Sequence, residues 1–334
     1  MFFKKGLIAV ALLSTISGCS SMDPDRLCLP SERIEMNNAE VPIVPNKDRK
    51  IIVLPVDIPF PESAAYSLKA VILNELEATI TGIGGHVVDR KLASKLKNEI
   101  KLAEQSGRYN TNGVPIADIA VITEVTASNL SYSFEKERKR KTKDGETKYY
   151  PSKCEFDVDV KAITKVISLP DMSLLERIEF SGSDSSSTET RDSDCPISQA
   201  KYVGMTNEAA TNAIKHSFDL QKMLAPIAPV IELRQCSAGS MVKIGMGSNR
   251  KIRPGSDIIF SQIYKNELGE IETYTIGEGN VVDIENDGIK PTFSWVAIEE
   301  DLSLKLRRGD AAKIVPGCSP LMDSNCTVGM WLDL

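Results

Sequence analysis

Lys50-Ile51-Ile52-Val53-Leu54-Pro55-Val56 is the stretch on which the reading of this fold turns. A short continuous apolar run closed by proline is the pattern of a strand buried on both faces. Pro59, Pro61 and Ser63 then mark a turn. From Ala64 to Ile80 the apolar residues Leu68, Val71, Ile72, Leu73, Leu76 and Ile80 recur at helical spacing. Gly82, Gly84 and Gly85 break that helix. His86-Val87-Val88-Asp89 reads as a second short strand. Lys91 to Gln105 reads as a second amphipathic helix, with Leu92, Leu96, Ile100 and Leu102 near one face. The glycine run precedes a strand and has no Lys-Ser or Lys-Thr closing it, so it reads as a tight turn and not as a phosphate loop.

Working outward, Ile119 to Val125 starts a third strand that continues by alternation to Phe134. Cys154 to Ile167 alternates in the same way, so a long hairpin is expected across the polar segment Glu135 to Lys148. Leu169 to Met172 reads as a turn and Leu174 to Phe180 as the next strand. Gly182 to Asp194 is a Ser/Thr/Asp/Glu tract and is expected to be a mobile loop. Asn207 to Leu224 reads as a helix with Ala210, Ile214, Phe218 and Leu220 available for packing. From Val230 to Val315 no helix is convincing. Short alternating segments separated by Gly, Pro and Asn turns predict a small antiparallel barrel or sandwich with Trp295 in its core. The boundary is expected near Pro226 to Pro229.

The first residues carry a different signal. Lys4 and Lys5 precede an apolar stretch, Gly6 to Leu13, and then Ile16-Ser17-Gly18-Cys19. A basic start, a short apolar core and small residues are the layout of a secretory signal, and the core is too short to span a bilayer. The cysteine makes the run resemble the lipobox of bacterial lipoproteins. That resemblance implies cleavage before Cys19, a diacylglycerol on its thiol and an N-acyl chain, with no other cofactor. Ser20 in place of aspartate implies sorting to the outer membrane, periplasmic face. Removing Lys4 and Lys5 takes the formal net charge from −6 to −8, which argues against a nucleic-acid partner. The expected organisation is a signal over 1–18, a lipid-anchored tether over 19–49, an α/β domain over 50–226, an all-β domain over 227–320 and a tail over 321–334. Trp331, in the apolar end of that tail, is expected to dock on the body or on a neighbour.

The chain has seven cysteines. Setting Cys19 aside leaves Cys28, Cys154, Cys195, Cys236, Cys318 and Cys326, an even number in a chain bound for an oxidising compartment, so disulfides are expected. Cys154–Cys195 would pin the Ser-rich loop to the sheet. Cys236–Cys318 would staple the ends of the β-domain, leaving Cys28 and Cys326, with Cys318–Cys326 as a competitor. No Cys-x-x-Cys spacing supports zinc.

The order strand, helix, strand, helix, long hairpin, strand, helix resembles the periplasmic domain of the curli-secretion (CsgG-like) lipoprotein family. The residues that carry the resemblance are Ile51 to Val56, Val87-Val88-Asp89-Arg90, Ala117-Asp118-Ile119-Ala120-Val121 and Leu169 to Leu174. It implies an α+β chain with an α/β sandwich over about half its length. The segments Ile252-Arg253-Pro254-Gly255 and Leu306-Arg307-Arg308-Gly309-Asp310 resemble the small β-domain of flagellar envelope-ring proteins of the FlgT kind. One departure matters. In the curli pore, two insertions become lipid-facing strands. Here the corresponding segments are Glu135 to Lys141 and Ser181 to Ser187, and neither can face hydrocarbon. The family fold without a pore wall is the expectation.

Lys136, Arg138, Lys139, Arg140 and Lys141 form the candidate contact for an anionic partner, either lipid phosphates or an acidic protein. The interleaved Glu135 and Glu137 suit a plain solvated hairpin tip as well. Asp184, Glu189, Asp192 and Asp194 lack the spacing of a calcium loop. His86 and His216 are the only histidines, and Ser217, adjacent to His216 on a helix, cannot face it. The favoured reading is a non-enzymatic, lipid-anchored scaffold or accessory of an envelope assembly, with protein partners or a homo-oligomer and the membrane touched through the lipid alone. The alternatives are a monomeric binding module for peptidoglycan, lipid or a small ligand, and an envelope hydrolase with His86 or His216 beside a Ser or carboxylate in space.

Overall fold

The structure, a computed structural model, describes residues 32–43, 50–89, 93, 96, 117–169, 172–215, 217–236, 239–282 and 288–317. The signal segment, Cys19, Cys28, His216, Cys318, Cys326, Trp331 and most of the expected 91–105 helix lie outside them.

The first body is a curved, half-barrel sheet of five strands. These are β2 (Lys50–Val53), β3 (His86–Val87), β4 (Ile119–Glu135), β7 (Lys153–Ser168) and β8 (Leu174–Glu189), in the order β3-β2-β4-β7-β8. The β2–β3 and β2–β4 pairs are parallel, whereas β4–β7 and β7–β8 are antiparallel. Alternation explains β7: Cys154, Phe156, Val158, Val160 and Ala162 point inward, while Asp157, Asp159 and Lys161 point to solvent. Helix α1 (Ala65–Gly82) lays Leu68, Ile72, Leu76 and Ile80, one residue per turn, on this core. It starts where the Glu62 carboxylate accepts from the Ala64 N–H. It ends at Gly84, whose positive φ of 86° follows the last turn, with the Gly85 N–H returning to the Ile80 carbonyl. Helix α2 (Gln199–Lys215) packs beside α1 through Met205, Ala209, Ala210 and Ile214. Tyr202 Oη donates to Glu62, clasping the two helix starts together. Ser217 caps α3 (Phe218–Leu224) by accepting from the Leu220 N–H, so the single helix expected over 207–224 is two. Ala93 and Leu96 are helical and pack with Ile52, Leu54 and Ala120 on the other sheet face.

The second body is a closed six-stranded antiparallel barrel. Its strands are β9 (Ile227–Cys236), β10 (Gly239–Ile244), β11 (Asp257–Lys265), β12 (Ile271–Val281), β13 (Ser294–Ile298) and β14 (Ala311–Ile314). They run β9-β10-β13-β12-β11-β14, and β14 pairs again with β9 to close the ring. Val230, Leu233, Val242, Ile258, Phe260 and Val296 fill the interior. A short helix the sequence does not announce, α4 (Glu300–Lys305), plugs one end with Leu302. Trp295 is not in that core. It sits in a separate cluster with Met241 and Val282, beneath the Arg234 guanidinium at 5.4 Å. Residues 32–43, within the expected tether, lie on the barrel: β1 (Glu32–Ile34) pairs with β9, and Ala39 and Ile43 donate to the carbonyls of Arg308 and Gly309.

Two further expectations are corrected. The chain is not an α+β molecule with a CsgG-like α/β sandwich; it is mostly β, a closed barrel joined to a half-barrel sheet. The cause is the length of β4, β7 and β8, which run 17, 16 and 16 residues. The expected loop Gly182 to Asp194 is also largely strand, since β8 continues through the serines to Glu189. Small side chains there do not fail to make a core; they let a helix come close. A Cβ at Gly182 would stand 2.1 Å from the Ala209 carbonyl of α2.

Candidate functional site

The basic segment forms its own two-stranded sheet at the end of the β4–β7 pair. Strands β5 (Arg138–Lys141) and β6 (Thr147–Tyr150) are antiparallel, with Arg138 opposite Tyr150 and Arg140 opposite Lys148. The Thr142 N–H donates to the Glu146 carbonyl across a tip turned at Gly145. From Lys136 to Tyr149 every residue is exposed. Opposed residues share a face, so the hairpin has two sides. Arg138, Arg140, Lys148 and Tyr150 form one, and the ring of Tyr150 has the Arg138 guanidinium 5.4 Å and the Lys148 ammonium 5.5 Å from its centre. Lys139, Lys141 and Tyr149 form the other, where Tyr149 Oη donates to Glu137 at 2.7 Å. That bond to a carboxylate raises the Tyr149 pKa. Lys136 lies in the linker before β5, off both faces.

The base of the hairpin is held firmly. Glu135 pairs with Lys153 in register and by an ion pair of 3.5 Å. Lys153 also bonds Glu155, which raises its pKa. One residue on, Cys154 is joined to Cys195, their Cα atoms 5.6 Å apart, and both are buried. The bond ties the segment after β8 to the strand that carries the hairpin. The backbone of Cys236 ends β9, and the other candidate cysteines lie outside the described residues.

A cleft of about 410 Å³ opens where the two bodies meet. Glu75 and Thr79 of α1, Lys215 at the end of α2, and Arg250, Lys251 and Ser256 of the barrel line it. The bodies touch closely beside it, since a Cβ at Gly84 would stand 2.2 Å from the Arg250 carbonyl. Helices α1 and α2 both direct their C-terminal ends here, and cations there offset the negative end of each helix dipole. The three basic residues therefore have a structural role. Sequence reading missed this cleft because its residues come from several separate elements and no local spacing marks them.

His86 is exposed at the start of β3, and its ring makes no hydrogen bond to a hydroxyl or carboxylate among the described residues; His216 lies outside them. Among the described residues no three His, Cys, Asp or Glu side chains converge on a metal position. Asp192 and Asp194 instead build a local turn, with the Asp194 N–H donating to the Asp192 carboxylate. No helix of the described residues is long and apolar enough to cross a membrane. In the barrel, Asp310 is buried and accepts from the Arg307 N–H and Gln262 Nε2, while its Oδ1 has no partner among the described residues. Burial raises its pKa against the opposing pull of those two donors.

The chain matches no protein-family model, and no curated protein matches its sequence. Among solved structures it is similar to a lipoprotein of Neisseria meningitidis, with 18% identity, 50% of this chain and 99% of that one covered, and a TM-score of 0.23. It is also similar to a minor lipoprotein of Acinetobacter baumannii, at 8% identity, 55% and 93% coverage and a TM-score of 0.25. A third is the PelC dodecamer of Paraburkholderia phytofirmans, at 12% identity, 54% and 93% coverage and a TM-score of 0.21. These overlays are too loose to carry a function to this chain, and neither the curli-secretion nor the flagellar-ring resemblance gains support from them.

Proposed function

We propose that this chain is a non-enzymatic, lipid-anchored component of a bacterial envelope assembly, held by Cys19 on the periplasmic face of the outer membrane. The observation that carries the reading is the run Lys4 to Cys19, basic, then apolar, then small, then cysteine. The buried Cys154–Cys195 bond supports it, because such bonds persist in oxidising compartments. A rigid sheet with a hairpin held out from it suits a scaffold that contacts other subunits. The test has two parts. Mass spectrometry of the N-terminal peptide is expected to find the acyl modification at Cys19 and to lose it in Cys19→Ala. Crosslinking in intact envelopes is expected to capture the chain in larger species; recovery of monomer alone would sink the assembly reading.

The cleft between the bodies favours a second reading, a periplasmic binding module, since its volume suits a small ligand. Thermal stabilisation of the purified chain by a cell-wall fragment, abolished by Lys251→Glu, would favour that reading over the first.

A further inference from the structure

The β5–β6 hairpin buries no core of its own, and a two-stranded sheet of that kind is marginal alone in water. Its sequence makes it a poor choice for a mere connection. Between Lys136 and Lys148 there are seven cations against three carboxylates, in a chain whose formal net charge is −6. The register sorts them: Arg138, Arg140 and Lys148 surround Tyr150 on one face, and no carboxylate lies between the paired positions of that face. Glu137 is occupied on the opposite face with Tyr149. Cations around an amphipathic aromatic ring match the headgroup layer of an anionic bilayer, where phosphates meet the cations and the ring sits at the polar boundary. We propose that this face docks on an anionic lipid surface.

The position of the anchor gives the contact a geometry. Glu32 pairs with Gln235, at the end of β9 opposite Ile227, while Ile227 lines the junction with Ile51 and Ile119 of the sheet body. Strand β4 then runs from Ile119 toward the hairpin over 17 residues, about 55 Å. The chain from Cys19 thus enters the barrel at the end of β9 away from the junction, and the hairpin lies at the end of β4 away from it. Residues 19–31 reach at most about 45 Å when extended. A hairpin on the same membrane requires both of these far ends, and not the hairpin alone, to face the bilayer. This orientation rests on the lipid-anchored reading; the contact itself does not.

The full chain is tested on vesicles of phosphatidylglycerol and phosphatidylcholine, with pure phosphatidylcholine as the comparison. Flotation reports the anchor, and hydrogen exchange of peptides covering Arg138 to Tyr150 reports the hairpin. Exchange there is expected to slow at least tenfold on the anionic vesicles alone. The slowing is expected to vanish at high salt and in an Arg138→Gln/Arg140→Gln/Lys148→Gln variant, with β12 peptides unchanged as the control for folding. A chain that floats with an equally unprotected hairpin on both vesicles overturns the contact and leaves the anchor standing. A chain that floats on neither overturns both. Protection that appears in detergent and rises with protein concentration assigns the face to a second copy and overturns the lipid surface.

Discussion

The two bodies handle the edges of their sheets in opposite ways. The barrel has none to protect, because β14 pairs with both β11 and β9. Its side chains are free to be apolar inside, and one short helix is enough to plug an end. The sheet body ends on β8, a 16-residue strand bonded, among the described residues, on one side alone. A long open edge invites pairing with another chain. The edge is managed by three devices: serines and charged residues along it, helix α2 pressed onto it at Gly182, and the Cys154–Cys195 bond after its end. Closure thus lets composition be ordinary. An open sheet has to encode its protection in the sequence, and the encoded protection resembles a loop.

Separate failure of the two bodies would sharpen this contrast. Phe260 is fully buried in the barrel, and Phe260→Ala should cost about 4 kcal/mol. Denaturant unfolding should fall by that amount, and hydrogen exchange should rise in β9 to β14 while β4 and β7 stay protected. Loss of protection in both bodies together would show that they fold as one. Removing the bond with Cys195→Ser should cost slightly less, about 3–4 kcal/mol for a sequence separation of 41. Here the rise in exchange belongs to β8 and the start of β7, and an unchanged exchange pattern would mean that the bond does not guard the open edge. Gly182→Val should follow at about 3 kcal/mol, because the added carbons meet the α2 backbone. Gly145→Ala, at the hairpin tip where nothing crowds a Cβ, is the matched control and should cost about 1 kcal/mol through its positive φ alone.

Asp310 gives the smallest effect and a pH signature confined to the barrel. Its carboxyl is raised above the unfolded value, so the folded chain holds the proton more tightly. Its contribution to stability is therefore greatest below about pH 4 and is lost as the pH rises through the folded pKa. Asp310→Asn should remove that slope, with a change of about 1 kcal/mol or less between pH 4 and pH 7 in urea unfolding. A slope that persists in the variant would trace the dependence to another group.

Much of the local structure was legible. Ile51 to Val53, the Leu68–Ile72–Leu76–Ile80 stripe and the alternation of Cys154 to Ala162 all express their periodicity in the fold. The fold class was not. It depended on whether Ser181 to Glu189 continued a strand, and those residues have no apolar period to read. Gly182 is informative only once α2 lies above it. For the candidate site, the run from Arg138 to Lys141 was visible as charge, but its sorting into two faces required the pairing with Lys148 and Tyr150. The cleft of Glu75, Lys215, Arg250 and Lys251 had no local signal.

The sequence by itself determined what depends on near neighbours along the chain: which runs are helix or strand, where glycine ends a helix, where cations gather, and the lipobox-like start at Cys19. Tertiary structure alone decided that β14 returns to β9, that a serine tract serves as a sheet edge, and that the 32–43 segment lies on the barrel. The reason is physical. Periodicity and turn chemistry act over a few residues, whereas edge protection, barrel closure and the seating of the 32–43 segment set together groups 27 to more than 200 positions apart, and no local pattern records which partner a group will find.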